Sequence, residues 1–266
     1  MQKAEIGIFG GSGFYQFGDQ VEEIWVNTPY GAPSDKIAIT TIHGRKVAFL
    51  PRHGKDHHIP PSKINYRANL WAMKSLGVTQ VIGPCAAGSL KKEIKPGDFV
   101  VVDQFVNRTW GREDTFFAGP QVTHVSAADP YCPVMRQVAI DACKAEGISV
   151  HEKGTVVVIQ GPRFSTRAES KEYQRNNWDV INMTQYPEGY LARELEMCYV
   201  NIALVTDYDA GLDDDPSIPP VVHEEVLRVF AQNIEGLRKV LFHCIKNLPK
   251  ERVQCACGQA VHGAQG

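Results

Sequence analysis

The sequence predicts an α/β fold: a single domain on a mixed, largely parallel β-sheet flanked by helices. Three observations carry this prediction. Short apolar, β-rich runs recur along the chain, and amphipathic segments of helical period lie between them. The composition is globular, with 43% hydrophobic and 22% charged residues among 266. Several of the runs are apolar almost without interruption, as strands buried on both faces are.

The strand predictions, in order, cover residues 5–9 (EIGIF), 36–42 (KIAITTI), 46–50 (KVAFL), 79–84 (TQVIGP) and 98–106 (DFVVVDQFV). Three more follow at 154–160 (GTVVVIQ), 179–183 (DVINM) and 199–207 (YVNIALVTD). Among the helices, residues 61–77 place Ile64 and Trp71 seven apart and Leu70 and Met73 three apart, as one helix face does, and stop at Gly77, a C-cap. Residues 132–147 repeat the pattern and stop at Gly147. Residues 188–197 follow Pro187, which suits a first helical turn. Residues 223–248 form a long amphipathic terminal helix. Two loops, 107–131 and 209–221, are rich in polar residues, Gly and Pro. The second is either a lid over a site or a solvated connection. No repeat of fixed period and no linker is visible, so residues 1–250 read as one domain and 251–266 as a C-terminal tail.

Bulk properties exclude several functions. The formal net charge of −2 leaves no basic excess to neutralise a polyanion, which argues against nucleic acid. No apolar run approaches the ~18 residues that cross a bilayer. The N-terminal stretch lacks the long apolar segment of a signal peptide, so a cytoplasmic protein is expected. Seven scattered cysteines fit reduced thiols better than a disulfide framework. Cys255 and Cys257 form a C-x-C in the tail, but zinc sites usually need a second pair and none stands at matched spacing. They read as two thiols on a frayed tail, or as a tail disulfide, and no metal site is expected.

The stretch IGIFGGSGFY, residues 6–15, runs from an apolar strand into Gly10, Gly11, Ser12 and Gly13. A dinucleotide fingerprint needs a third glycine at fixed spacing, and a Walker loop needs G-K-[ST]; both are missing. What remains is a tight turn, or a turn whose N–H groups and Ser12 hydroxyl hold a small anion. A second strand end, PRHG, carries Arg52 and His53, and a third, GPCAAGSL, carries small residues and Ser89. Ligands collect at such ends in open α/β sheets. Arginine offers a planar fork for phosphate oxygens, and small residues let backbone N–H groups come close.

Taken in order, GGSGFY, PRHG, NYRANLWAMKSLG, GPCAAGSL, KPGDFVVVDQFVNRT, GPRFSTRAES, NMTQYPE and TDYDAG resemble the trimeric purine nucleoside phosphorylase family, most nearly its 5′-methylthioadenosine phosphorylase branch. The resemblance runs from residue 6 to about residue 212, and the terminal helix fits as well. It implies attack of inorganic phosphate on the anomeric carbon of a purine nucleoside, with release of adenine and formation of a pentose 1-phosphate. It implies no metal or organic cofactor, and a homotrimer with sites at subunit interfaces. By resemblance, Ser12, Arg52, His53, Cys85, Ala86 and Thr184 hold phosphate. Cys85 departs from the family, where threonine is frequent. A thiol is a weak donor, so the loop is expected to act through the Ala86 backbone. Met183 lies under the ribose and Phe164 against the base, while His124 reaches into the neighbouring subunit's site.

The chemistry gives these residue types their reason. The transition state is an oxocarbenium cation between two anions, so phosphate must be positioned and the leaving purine protonated at N7. Asp207 is assigned as that acid, with Asp209 beside it. Burial and like charge should raise their pKa values. The rival reading of both is as turn formers. The 6-oxopurine enzymes carry Asn at the position of Asp207, and Glu at the position of Ser165, so both residues point to adenine. Val222 and Val226 are candidates for an apolar pocket around the methylthio group; if His223, between them in sequence, faces the site, adenosine competes. The predicted reaction is phosphorolysis of S-methyl-5′-thioadenosine by a pentosyltransferase. The alternatives are a purine nucleoside phosphorylase acting on adenosine or on 6-oxopurine nucleosides such as inosine or methylthioinosine, and a non-catalytic purine or phosphate sensor.

Overall fold

Apolar runs that alternate with amphipathic segments must bury both strand faces under helices, and the chain does so. A computed structural model describes residues 4–10, 21–212, 215, 217–252 and 254–264. Its strands are β1 (Ile6–Gly10), β2 (Glu22–Ile24), β3 (Ile37–Ile42), β4 (Arg45–Pro51), β5 (Gln80–Ser89), β6 (Phe99–Val101), β7 (Gln104–Arg108), β8 (Val150–His151), β9 (Thr155–Ile159), β10 (Val180–Asn182) and β11 (Cys198–Asp207). Its α-helices are α1 (Tyr66–Ser75), α2 (Pro133–Ala145), α3 (Arg167–Arg175), α4 (Gln185–Glu194) and α5 (His223–Asn247).

The strands form one sheet, in the order β2-β3-β4-β1-β5-β10-β9-β7, and β11 also pairs with β5 and leads to β6 and β8. The centre, β4-β1-β5-β11, is parallel, while β3 on β4 and β10 on β5 are antiparallel. The sheet is therefore mixed and mostly parallel, as predicted. Its centre is also its most buried part: all five residues of β1 are buried, and so are the first nine of β11.

Helices cover both faces. On one face, Leu70 and Met73 of α1 and Leu191 of α4 join a core with Phe9, Leu50 and Val81. On the other, Met135 and Ile140 of α2 and Leu237 and Leu241 of α5 pack on Ile8, Phe49 and Ile82. Each fully buried Leu or Met contributes about 1.5–3 kcal/mol relative to exposure. Tyr173 of α3 closes a smaller cluster with Val157 and Ile181.

Three expectations need revision. The run 98–106 is two strands, β6 and β7, which pair with different neighbours. The GPCAAGS segment is not a loop after a strand but the last seven residues of β5, a ten-residue strand. Helix α3 was not expected, because its polar sequence RAESKEYQR shows little apolar periodicity and buries only Ser170 and Tyr173. Its start is nevertheless marked in the sequence: Thr166 and Glu169 form a capping box.

Candidate active site

The C-terminal ends of β4 and β11, the C-terminal half of β5 and the segment after β10 meet around a cavity of about 380 Å³. Its wall includes Arg52 and His53 after β4, Cys85 and Ala86 in β5, and Met183 and Thr184 after β10. It also includes Phe164, Asp207, Asp209 and Val226. Ten of the expected residues thus converge. Ser165 is not part of the wall, but its hydroxyl lies near Asp209. Ser12 lies outside the described residues. Two expected residues lie apart from the cavity in this chain. His124 is exposed in the 107–131 loop, and Val222 is 59% exposed at the N-cap of α5. His223 takes the place expected for Val222 and faces the cavity.

One end of the cavity is built around a buried cation. Arg52 is 1% exposed, and its Nε and Nη2 donate to the two carboxylate oxygens of Glu188 at 2.8 and 2.7 Å. Its Nη1 donates to the Pro84 carbonyl at 2.9 Å. Three of the five N–H donors of the guanidinium are thereby committed and two remain for a ligand. Burial opposes the charge, but the Glu188 carboxylate outweighs it and raises the Arg52 pKa. The Tyr199 hydroxyl donates to Glu188 at 2.7 Å and accepts from Gln185 Nε2 at 3.0 Å. Glu188, Tyr199 and Gln185 were not anticipated: a partner 136 positions away leaves no local signal. Gly83 makes room for them, since a Cβ there would lie 2.0 Å from the Tyr199 hydroxyl and 2.8 Å from Glu188 Oε1.

His53 is neutral. Burial, the larger effect, pushes its pKa down to about 3, against a hydrogen bond to the Ile59 carbonyl at 2.8 Å. That carbonyl can only accept, so Nδ1 carries the proton and Nε2 is left as an acceptor. The expected donor is therefore an acceptor for a protonated phosphate oxygen. Cys85 turns its sulfur toward Asn182 Nδ2 at 3.2 Å and Asn201 Nδ2 at 3.3 Å, and burial keeps its thiol protonated. Thr184 caps α4 without spending its hydroxyl on the helix.

The other end of the cavity holds two carboxyl groups. The β11–β5 register shifts between Val205 and Asp207, a bulge that re-aims Asp207. Burial is the main cause of its raised pKa, with the Asp209 charge adding to it. Thr206 Oγ1 and the Asp209 backbone N–H each donate to it at 2.7 Å and oppose the rise. Asp209 is 2% exposed and has a left-handed backbone, φ 50°. Burial raises its pKa too, against the nearby hydroxyls of Ser170 and Ser165. Among the described residues, its Oδ2 and the Ser165 hydroxyl lack a well-aligned hydrogen-bond partner, although both are buried. Such groups wait for a ligand's polar atoms. Gly88 admits the pair: a Cβ there would sit 2.8 Å from Asp207 Oδ1.

Residues 5–246 match the family model of the phosphorylase superfamily. The purine nucleoside phosphorylase of Streptomyces coelicolor is 52% identical, covering 98% of this chain and 95% of that protein. The S-methyl-5′-thioadenosine phosphorylase of Thermofilum pendens is 50% identical over 99% of both chains. The solved structure of methylthioadenosine phosphorylase from Schistosoma mansoni in complex with adenine superposes with a TM-score of 0.92, 37% identity and 99% coverage of both chains.

Proposed function

The chain belongs to the phosphorylase superfamily, and from that premise we propose that it catalyses phosphorolysis of S-methyl-5′-thioadenosine to adenine and 5-methylthioribose 1-phosphate. The observation that carries the reading is the pairing of opposites in one cavity: a fixed cation, Arg52, at one end and two acids of raised pKa, Asp207 and Asp209, at the other.

Phosphate binds to the two spare N–H groups of Arg52, the Thr184 hydroxyl and the Ala86 backbone. It gives the proton of one P–OH to His53 Nε2 as a hydrogen bond. Because Glu188 already offsets the Arg52 charge, phosphate keeps enough negative charge to face the oxocarbenium ion. Met183 supports the ribose and Phe164 the base. The carboxyl pair donates to adenine N7 and accepts from the 6-amino group, which stabilises the leaving base. Inorganic phosphate is a co-substrate, and phosphorolysis by these groups needs no cofactor.

Assembly into a homotrimer, with His124 completing a neighbour's site, accords with large apolar side chains left exposed on this chain. Trp110, Val122 and Val222 are each more than half exposed. Among the described residues no helix is long and apolar enough to cross a membrane, in keeping with a cytoplasmic enzyme. A second reading rests on His223. A polar ring in the cavity wall beside Val226 can bind a 5′-hydroxyl, so adenosine is a competing substrate.

The test is the purified protein with 5′-methylthioadenosine, adenosine and inosine, each with and without phosphate. Phosphate-dependent release of adenine, fastest from the methylthio substrate, is expected. Preferential cleavage of inosine would overturn the roles of Asp207 and Ser165, and cleavage of none would favour a sensor.

A further inference from the structure

At the opposite end of β11 from Asp207, four cysteines from three parts of the chain converge. Cys198 opens β11, Cys132 stands at the N-cap of α2, and Cys255 and Cys257 come from the C-terminal tail. Their four sulfur atoms all lie within 4.8 Å of one another. Cys132, Cys198 and Cys257 are buried and Cys255 partly so. We propose that these four cysteines bind one Zn²⁺ in a closed tetrahedral site that fastens the C-terminal tail to the start of β11.

The geometry suits the ion. A tetrahedral zinc with bonds of about 2.3 Å to sulfur has ligands about 3.8 Å apart. Cys198 and Cys255 stand 3.5 Å apart, and Cys132 has sulfur contacts to the other three. The sulfurs thus form one compact cluster, close enough for a single ion to bridge all four. The set contains only thiols, which select zinc over the oxygen-seeking Mg²⁺ and Ca²⁺. Four protein ligands leave no open position, as in structural and not catalytic zinc sites.

Half of the site is framed by the folded core. The Cys132 backbone N–H donates to the Tyr199 carbonyl at 2.9 Å, and the Cys198 N–H donates to the Thr79 carbonyl at 2.9 Å. The first of these bonds sets Cys132 beside Cys198, 66 positions away, which is why no second pair is visible in the sequence. The tail supplies the other half with the spacing C-x-C. Binding replaces the four thiol protons with one Zn²⁺, leaving a centre of net charge −2. The N-terminus of α2 lies at Cys132, which favours a negative centre, and Arg252 and Glu251 both line the same small cavity as Cys132, Cys198 and Cys255. The tail has little apolar surface of its own. From Pro249 onward it reads PKERVQCACGQAVHGAQG, with two valines as its only branched aliphatic side chains, so its two cysteines are its main contribution to the core.

The experiment is metal analysis of the intact protein purified under reducing conditions, with intact-mass measurement. Stoichiometric zinc is expected in the wild type and its loss in the double variant Cys255→Ser/Cys257→Ser, whose tail position leaves the core fold intact. Exchange of the metal for Co²⁺ in the wild type should give the thiolate charge-transfer and d–d bands of tetrahedral sulfur ligation, without any variant. Phosphorolysis should be unchanged in the double variant, while its thermal midpoint falls. A metal-free wild type, whether four free thiols or four hydrogens lighter as two disulfides, would overturn the proposal.

Discussion

At one end of the cavity Arg52 lies under a two-point contact from Glu188, which Tyr199 in turn anchors. At the other, Asp207 and Asp209 stand side by side with raised pKa values, and Asp209 Oδ2 is left without a well-aligned partner among the described residues. Both ends depend on the same strand, because Gly83 opens room for Glu188 and Tyr199, and Gly88 for the two acids. The difference lies in the state of charge. The phosphate end holds a permanent charge with satisfied hydrogen bonds, so it can position an anion without reorganising. The base end holds carboxyl groups whose pKa values burial raises, which favours the protonated form that a general acid needs.

The contrast breaks most severely at Asp207. Asp207→Asn should lower turnover of 5′-methylthioadenosine by about 10²–10⁴-fold, the range for loss of a general acid. Steady-state kinetics should also show a relative gain for inosine. A variant with unchanged adenine release would remove Asp207 from the chemistry.

The phosphate end breaks at Glu188. Glu188→Gln leaves a buried guanidinium without its counter-charge, a change that costs about 3–5 kcal/mol where a buried pair is broken. Urea unfolding should show the loss, and the KM for phosphate should rise. Wild-type stability in that variant would mean that Arg52 is not held by its carboxylate partner.

A smaller effect sharpens the picture between the two ends. His223→Leu removes the polar ring from the cavity wall and should raise the kcat/KM ratio of 5′-methylthioadenosine to adenosine about tenfold, within the ~1–3 kcal/mol of one side-chain contact. An unchanged ratio would place the 5′ group elsewhere.

The smallest effect is on stability at the base end. The folded pKa of Asp209 is raised, so its burial costs nothing while the group is protonated in both states, below its unfolded pKa. The cost grows as pH rises through the folded value. Asparagine tolerates the left-handed backbone and never ionises. Asp209→Asn should therefore gain stability at neutral pH, read as a rise in Tm, with little gain in acid. The gain would come with slower turnover.

Much of this is legible in the sequence. Uninterrupted apolar runs such as YVNIALVT announce strands buried on both faces, and β11 is one. Arg52 and His53, which suit phosphate and follow directly on the apolar run KVAFL, mark one end of the cavity from sequence alone. What escapes notice has physical causes. The run DFVVVDQFV divides because its two halves pair with different partners, and the run itself does not record partners. Glu188 looks like any helical acid, since its meaning comes from Arg52 at 2.7 Å across 136 positions. The same holds for Cys132 and Cys198, which become neighbours through the packing of α2 on β11 and the bond between Cys132 and Tyr199. Helix α3 is the avoidable omission, because Thr166-x-x-Glu169 is a capping box written in the sequence.

The most direct test of a carboxyl pair that keeps a proton for the leaving adenine is the pH dependence of kcat for 5′-methylthioadenosine at saturating phosphate, in the wild type and in Asp207→Asn. The titration of phosphate is common to both, so the difference belongs to the pair. The wild-type rate should fall as pH rises through the raised pKa of the pair, and the residual rate of Asp207→Asn should lack that limb. The same alkaline fall in both proteins would contradict a proton held at Asp207.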